Sequence, residues 1–309
     1  MPYQTVRGVE HFYQWITSPD HTNDQLTNQL NDHPKNHAPN HHPNRPVLVF
    51  IHGWGGSSRY WEGTARTLTD QFDCLLYDLR GFGRSRLPAP DRNAAPRFAT
   101  KTELERDYAL EAYADDLAEL LDALGLDRVS LNAHSMGASV ATLFINRHRD
   151  RVDRAILTCS GIFDYDPLTF NLFHAVSRWV VIVRPRWMAA IAGLEGLFMQ
   201  RFLHREMPIQ DKRDFLADFV LADFDAALGT IYTSVSQHAA MIMPQEFAQI
   251  DLPTLLIAGE HDIIIPAAMG QRAAQLSSAI DYCEIPDTAH FPMLEDATTY
   301  RTAITDFLA

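Results

Sequence analysis

Ser135 sits in LNAHSMGA, residues 131–138, between an apolar run of strand length and a run of helical character. A serine hydroxyl is a useful nucleophile only when a base takes its proton and an acid orients that base. Two later stretches offer such partners: LLIAGEHDIIIP contains Asp262, and EIPDTAHFPMLED contains His290. Each residue has a plainer reading alone. Ser135 fits a helix N-cap, Asp262 a loop or capping acid, and His290 a packed imidazole. The order serine, aspartate, histidine, each just past a strand-like run, is what points to nucleophile, orienting acid and base. Glu260 and Asp164 are the reserve acids.

Attack on an acyl carbon also creates an oxyanion that needs hydrogen-bond donors. After the run VLVFI comes HGWGGSS, residues 52–58, whose glycines let the backbone come close to a substrate and aim the Trp54 amide at the developing charge. The Met136 amide, next after the serine, is the second candidate donor. The same glycine-rich turn could cradle a phosphate, but no Lys-Ser/Thr follows it and no GxGxxG is present, so a nucleotide cofactor is not expected. The chemistry calls for no metal and no organic cofactor.

These residues need a scaffold that brings distant loops to one edge. VLVFI (47–51), CLLYD (74–78), RVSLN (128–132), RAILTC (154–159), TLLIA (254–258) and DYCEI (281–285) read as short buried strands. Helical stretches lie between several of them, including ALEAYADDLAELLDALG, the segment after Ser135, and AAMGQRAAQLS. Alternation of this kind predicts an α/β fold, a mostly parallel sheet with helices on both faces. VEHFYQWI predicts an antiparallel edge hairpin. From Gly161 to about Ile250 the alternation gives way to aromatic and Met-rich segments of helical period. The expected organisation is therefore a core of residues 1–160 and 251–309, a helical insertion over 161–250, and a polar insertion over 19–46.

The joint pattern resembles the α/β-hydrolase superfamily, of the HGxxG esterase and lipase type with a helical cap. The matching motifs are HGWGG (52–56), DLRGFGRS (78–85), AHSMGA (133–138), GEHD (259–262) and AHFPMLED (289–296), spread over residues 47 to 309. The resemblance implies nucleophile Ser135, acid Asp262, base His290 and oxyanion donors Trp54 and Met136. It also implies structural support from Asp78 and the glycines around it. Ala133 departs from the glycine usual in the elbow, which calls for a slightly looser turn. Ser135, where some relatives carry aspartate, argues against dehalogenase and epoxide-hydrolase chemistry. The expected reaction is cleavage of a carboxylic ester through an acyl-enzyme. Alternatives are a C–C bond or thioester hydrolase, and a slow-turnover receptor for a small ligand.

Composition bounds the partners. A formal net charge of -13 disfavours nucleic acid, whose binding needs clustered Lys and Arg. Phe170 to Glu206 is locally different, with Arg178, Arg184, Arg186, Arg201 and Arg205 against Glu195 and Glu206, alongside six Phe and Trp residues. That stretch suits an acyl-chain pocket or contact with an anionic lipid surface; the plainer reading is a cap whose aromatics form its own core. Substrate contacts are expected within 161–250. Residues 19–46 hold too few aliphatics to offset their ordering entropy and read as a polar loop. Its His33, His37, His41 and His42 offer only a weak metal-binding pattern. Cys74, Cys159 and Cys283 lie far apart without metal-ligand spacing and read as thiols of a reducing compartment. With no leader-like amino terminus and no long apolar run, a cytoplasmic protein is expected.

Overall fold

The computed structural model describes residues 3–18, 41, 42, 44–85, 87 and 99–309. The strands are β1 (Tyr3–Val6), β2 (Val9–Ile16), β3 (Val47–Ile51), β4 (Asp73–Tyr77), β5 (Val129–His134), β6 (Val152–Thr158), β7 (Thr254–Gly259) and β8 (Ile280–Ile285). They form an eight-stranded sheet in the order β1-β2-β4-β3-β5-β6-β7-β8. β1 and β2 form the expected antiparallel hairpin, β2 adds antiparallel to β4, and every later pairing is parallel. The polar insertion at 19–46 falls outside the described residues except for 41, 42 and 44–46. Among the described residues no helix is long and apolar enough to cross a membrane.

β3, β4, β5 and β7 are buried along their whole length because both faces of the sheet are covered there. In β3, Val49 and Ile51 enter one core while Leu48 and Phe50 enter the other, and Leu75 and Leu76 of β4 divide in the same way. This period of two feeds two separate cores. The first is closed by helices Leu110–Ala123 and Met136–Arg147, the second by Trp61 and helix Ala297–Leu308, through Tyr300 and Ile304.

Between β6 and β7 the chain runs through helices Pro167–Ile182, Leu194–Met199, Ile209–Leu221, Phe224–Ser234 and Gln237–Gln249. The last of these sends Met243 and Phe247 into the first core, so it covers the sheet rather than standing above it.

The strand order reverses direction at β3, which lies between β4 and β5. In parallel α/β sheets such a switch point opens a crevice at the carboxyl ends of the strands. Ile51, last in β3, pairs beside Ala133 of β5. The loop HGWGG and Ser135 therefore leave the sheet side by side.

Candidate active site

Ser135 follows β5 directly and has φ 54 and ψ −122. A non-glycine residue held at positive φ is strained and persists only where its surroundings enforce it. Here the Ser135 N–H donates to the Thr158 carbonyl at 2.9 Å, fixing the turn to the end of β6. A side chain at Gly53 would come 3.1 Å from Ser135 Cβ, and one at Gly137 would come 2.4 Å from the His52 carbonyl. The small flanks let the helix Met136–Arg147 begin against the end of β3. Although Ser135 occupies the N-cap position, its side chain makes no capping bond. The N-cap reading of this serine is thereby set aside.

Its hydroxyl instead meets His290. His290 Nε2 lies 3.0 Å from Ser135 Oγ, and His290 Nδ1 lies 2.7 Å from Asp262 Oδ2. The second oxygen of Asp262 accepts the Ile264 and Ile265 amides at 2.8 and 3.1 Å, which sets the carboxylate plane. Asp262 and His290 are both buried. With Nδ1–H donated to the carboxylate, Nε2 carries the lone pair that a serine proton needs. The three residues are brought together from loops after three different strands. The reserve acids are not: Asp164 pairs with Arg272, and Glu260 accepts the Asp287 amide at 2.9 Å.

Behind this row runs a second one that inspection of the sequence missed. His134 Nε2 lies 2.7 Å from the His290 carbonyl, so that nitrogen carries the proton. Nδ1 of a neutral ring then accepts, and Tyr60 Oη donates to it at 2.9 Å. Tyr60 Oη in turn accepts the Gly53 N–H at 2.5 Å. Burial, and then the His290 ring, hold the His134 pKa well below the usual imidazole range. The chain of bonds is thus neutral and one-directional, linking the HGWGG loop to the backbone of the base. His134 lies within the quoted AHSMGA motif, but nothing in its spacing signals Tyr60.

Asp78 takes the supporting place expected of it. Its two oxygens accept the Ser58 amide and hydroxyl at 2.8 and 2.6 Å and the Arg84 amide and Nε, both at 2.8 Å. Burial alone would raise its pKa; the Arg84 guanidinium overcomes that and holds it low. Glu295, also unforeseen, accepts the Ala289 and Phe291 amides on either side of His290 and the His204 and Arg205 amides across from it. The His290 amide itself donates to the Phe202 carbonyl at 2.9 Å.

The helical segment between β6 and β7 reaches the same place. Trp54 Nε1 donates to the Ala227 carbonyl at 3.0 Å, and its ring lies 5.5 Å from Phe219. Ser57 Oγ donates to Asp218 at 2.6 Å, and Arg59 pairs with Asp214 and Asp218. Phe198, Phe202, Phe215 and Phe219 form a ring cluster that continues to Phe291. The aromatics of the segment therefore divide. These four turn toward the site, while Phe173, Trp179 and Trp187 stand exposed. The arginines divide too: Arg184 is buried against the Val181, Phe219 and Asp223 carbonyls, and Arg205 pairs with Asp287 and Asp296.

Residues 46–297 match a family described as alpha/beta hydrolase fold. The chain belongs to that family. Hydrolysis is the chemistry this membership supports. A putative carbamate hydrolase of Pseudomonas savastanoi is 28% identical over 268 residues, covering 85% of this chain and 93% of its own. Among solved structures, the enol-lactonase of Burkholderia xenovorans has a TM-score of 0.70 at 22% identity and covers 99% of both chains. A thermophilic esterase of Thermogutta terrifontis has a TM-score of 0.69 at 21% identity, covering 100% of this chain and 98% of its own. The structural likeness carries the fold alone.

Two groups of possible metal donors occur among the described residues: His134, Cys159 and His290, and His204, His261 and Asp287. In the first, the ring nitrogens of both histidines already have partners in the two rows above.

Proposed function

We propose that this protein is a serine hydrolase that cleaves carboxylic esters through an acyl-enzyme, with Ser135 as nucleophile, His290 as base and Asp262 as the acid that orients it. The observation that carries this reading is the unbroken row Asp262–His290–Ser135 ending on a serine held at positive φ. His290 takes the serine proton as the Oγ–acyl bond forms, the Trp54 and Met136 amides receive the oxyanion, and His290 returns the proton to the leaving alcohol. A water activated by the same histidine then releases the acid. None of these steps calls for a metal or an organic cofactor.

The cluster of Phe198, Phe202, Phe215 and Phe219 beside the row favours a hydrophobic acyl group, with the helices after β6 acting as a cap. The name of one sequence relative, a putative carbamate hydrolase, also describes hydrolysis at a carbonyl carbon, which accords with this reading. On the outer side of the cap, Leu168, Leu172, Val176, Trp179 and Val183 recur at helical spacing on one exposed face, with Trp187, Ile191 and Leu197 beyond. Arg178, Arg186 and Arg201 are exposed in the same segment of a chain whose net charge is -13. Apolar residues with arginines favour peripheral contact with an anionic lipid surface.

A fluorophosphonate probe tests the central claim. Labelling of the wild type that disappears in Ser135→Ala is expected; an unlabelled wild type, or equal labelling of both, overturns it. Matched ester, thioester and diketone substrates then fix the bond class.

A further inference from the structure

We infer that His204, His261 and Asp287 form a binding site for a late first-row divalent metal ion, Zn2+ foremost, at the outer end of the loops that carry Asp262 and His290. The three side chains are exposed, and their donor atoms lie within 4.8 Å of one another. The imidazoles of His204 and His261 stack with ring centroids 3.9 Å apart. Two imidazoles and a carboxylate suit Zn2+ and its neighbours in the series rather than Mg2+ or Ca2+, which prefer all-oxygen sets. Donor atoms around a tetrahedral Zn2+ lie about 3.3 Å apart given ordinary bond lengths. The donor atoms are at most about 1.5 Å farther apart than that, and all three side chains lie at an accessible surface.

The backbones that carry these donors are already held. His261 N–H donates to the Thr288 carbonyl at 2.8 Å, Asp287 N–H to Glu260 at 2.9 Å, and His204 N–H to Glu295 at 2.6 Å. Arg205 is the competitor for Asp287, but its contact there is 3.3 Å against 2.8 Å to Asp296, so it keeps a carboxylate partner when the ion takes Asp287. A cavity of about 390 Å³ is lined by His204, Glu260, His261 and Asp262, so both imidazoles border open space.

Position gives the site a consequence. His261 adjoins Asp262, Asp287 lies three residues before His290, and His204 lies two after Phe202, whose carbonyl holds the His290 amide. A bound ion would tether the segment around Phe202 to both loops. This inference stands on the donor set and does not depend on which bond Ser135 attacks.

Zn2+ and Co2+ titrated into metal-stripped full-length protein test it, with bound metal measured after equilibrium dialysis. One ion per chain is expected, with visible Co2+ ligand-field bands and a rise in thermal midpoint. His204→Ala and His261→Ala should each weaken binding at least about 10-fold, since even residues behind the ligands are worth that much. Replacing His33, His37, His41 and His42 together by Ala should leave binding intact. Binding that survives His204→Ala and His261→Ala, or that vanishes with the four amino-terminal histidines, overturns the proposal. So does the absence of bound metal in a wild type whose circular dichroism is that of the folded chain.

Discussion

The ring of His134 donates its Nε2 proton to the carbonyl of His290 at 2.7 Å, so one buried histidine holds the backbone of another. Because its Nδ1 accepts a hydrogen bond from the Tyr60 hydroxyl, and Tyr60 Oη accepts one from the Gly53 N–H, the row also links the base to the HGWGG loop.

Tyr60→Phe should therefore act at a distance. It removes the acceptor of the Gly53 amide and the donor to His134 without changing the size of the ring. Leaving buried polar groups unpaired costs about 1–3 kcal/mol. We expect a lowered unfolding midpoint and a fall in kcat larger than any change in KM. Full activity with unchanged stability would show that the row behind the site is idle.

Asp262→Asn keeps the shape of the row but presents the wrong proton pattern to His290 Nδ1. By the general behaviour of such triads, kcat should fall roughly 10³–10⁴-fold while substrate affinity changes little. Single-turnover kinetics on a chromogenic ester separate the two quantities. A loss of less than tenfold would remove Asp262 from the mechanism.

Asp218 sets a pH dependence of stability with a definite sign. Burial lifts its pKa from 3.8 to about 6, against the opposing pull of Arg59 and Ser57. The folded state thus holds the proton more tightly than the unfolded chain, and stability falls as pH rises from about 4 to about 6. The full effect is about 3 kcal/mol at 1.4 kcal/mol per unit. Asp218→Asn should flatten that fall when urea midpoints of variant and wild type are compared across pH 4 to 7. Parallel profiles would contradict it.

Gly259→Ala and Gly63→Ala should move stability in opposite directions. A Cβ at Gly259 would sit 2.0 Å from the Ala289 carbonyl, next to His290, whereas Gly63 has nothing within 4 Å and lies in a helix. The first should lower stability by several kcal/mol and impair the site. The second should raise it by roughly 0.5–1 kcal/mol, the usual gain from removing a helical glycine. Thermal melts of both variants decide the matter.

Lipid contact through the exposed face of the helix Pro167–Ile182 should show as co-sedimentation with anionic phosphatidylglycerol vesicles that weakens with salt. Leu172→Ser with Trp179→Ser should abolish it and leave hydrolysis of a short, water-soluble ester unchanged. Equal sedimentation of variant and wild type would mean that this face serves something else.

Period and punctuation in the chain were enough to determine the α/β architecture. Strands buried on both faces read as near-continuous apolar runs, and VLVFI and TLLIA match β3 and β7 nearly residue for residue. The positions of Ser135, Asp262 and His290 just past three parallel strands were legible as well, because loops after parallel strands open on one edge whatever their separation in sequence. What only the tertiary structure decided were contacts with no period and no local signal. Tyr60 reaches His134 across 74 positions, Ser57 reaches Asp218 across 161, and the Phe202 carbonyl reaches the His290 amide between unrelated loops. The fates of the arginines and aromatics between Phe170 and Glu206 were likewise hidden. One residue type can fill a core, cradle carbonyls or face solvent, and that choice depends on which neighbouring surfaces arrive, not on the side chain itself.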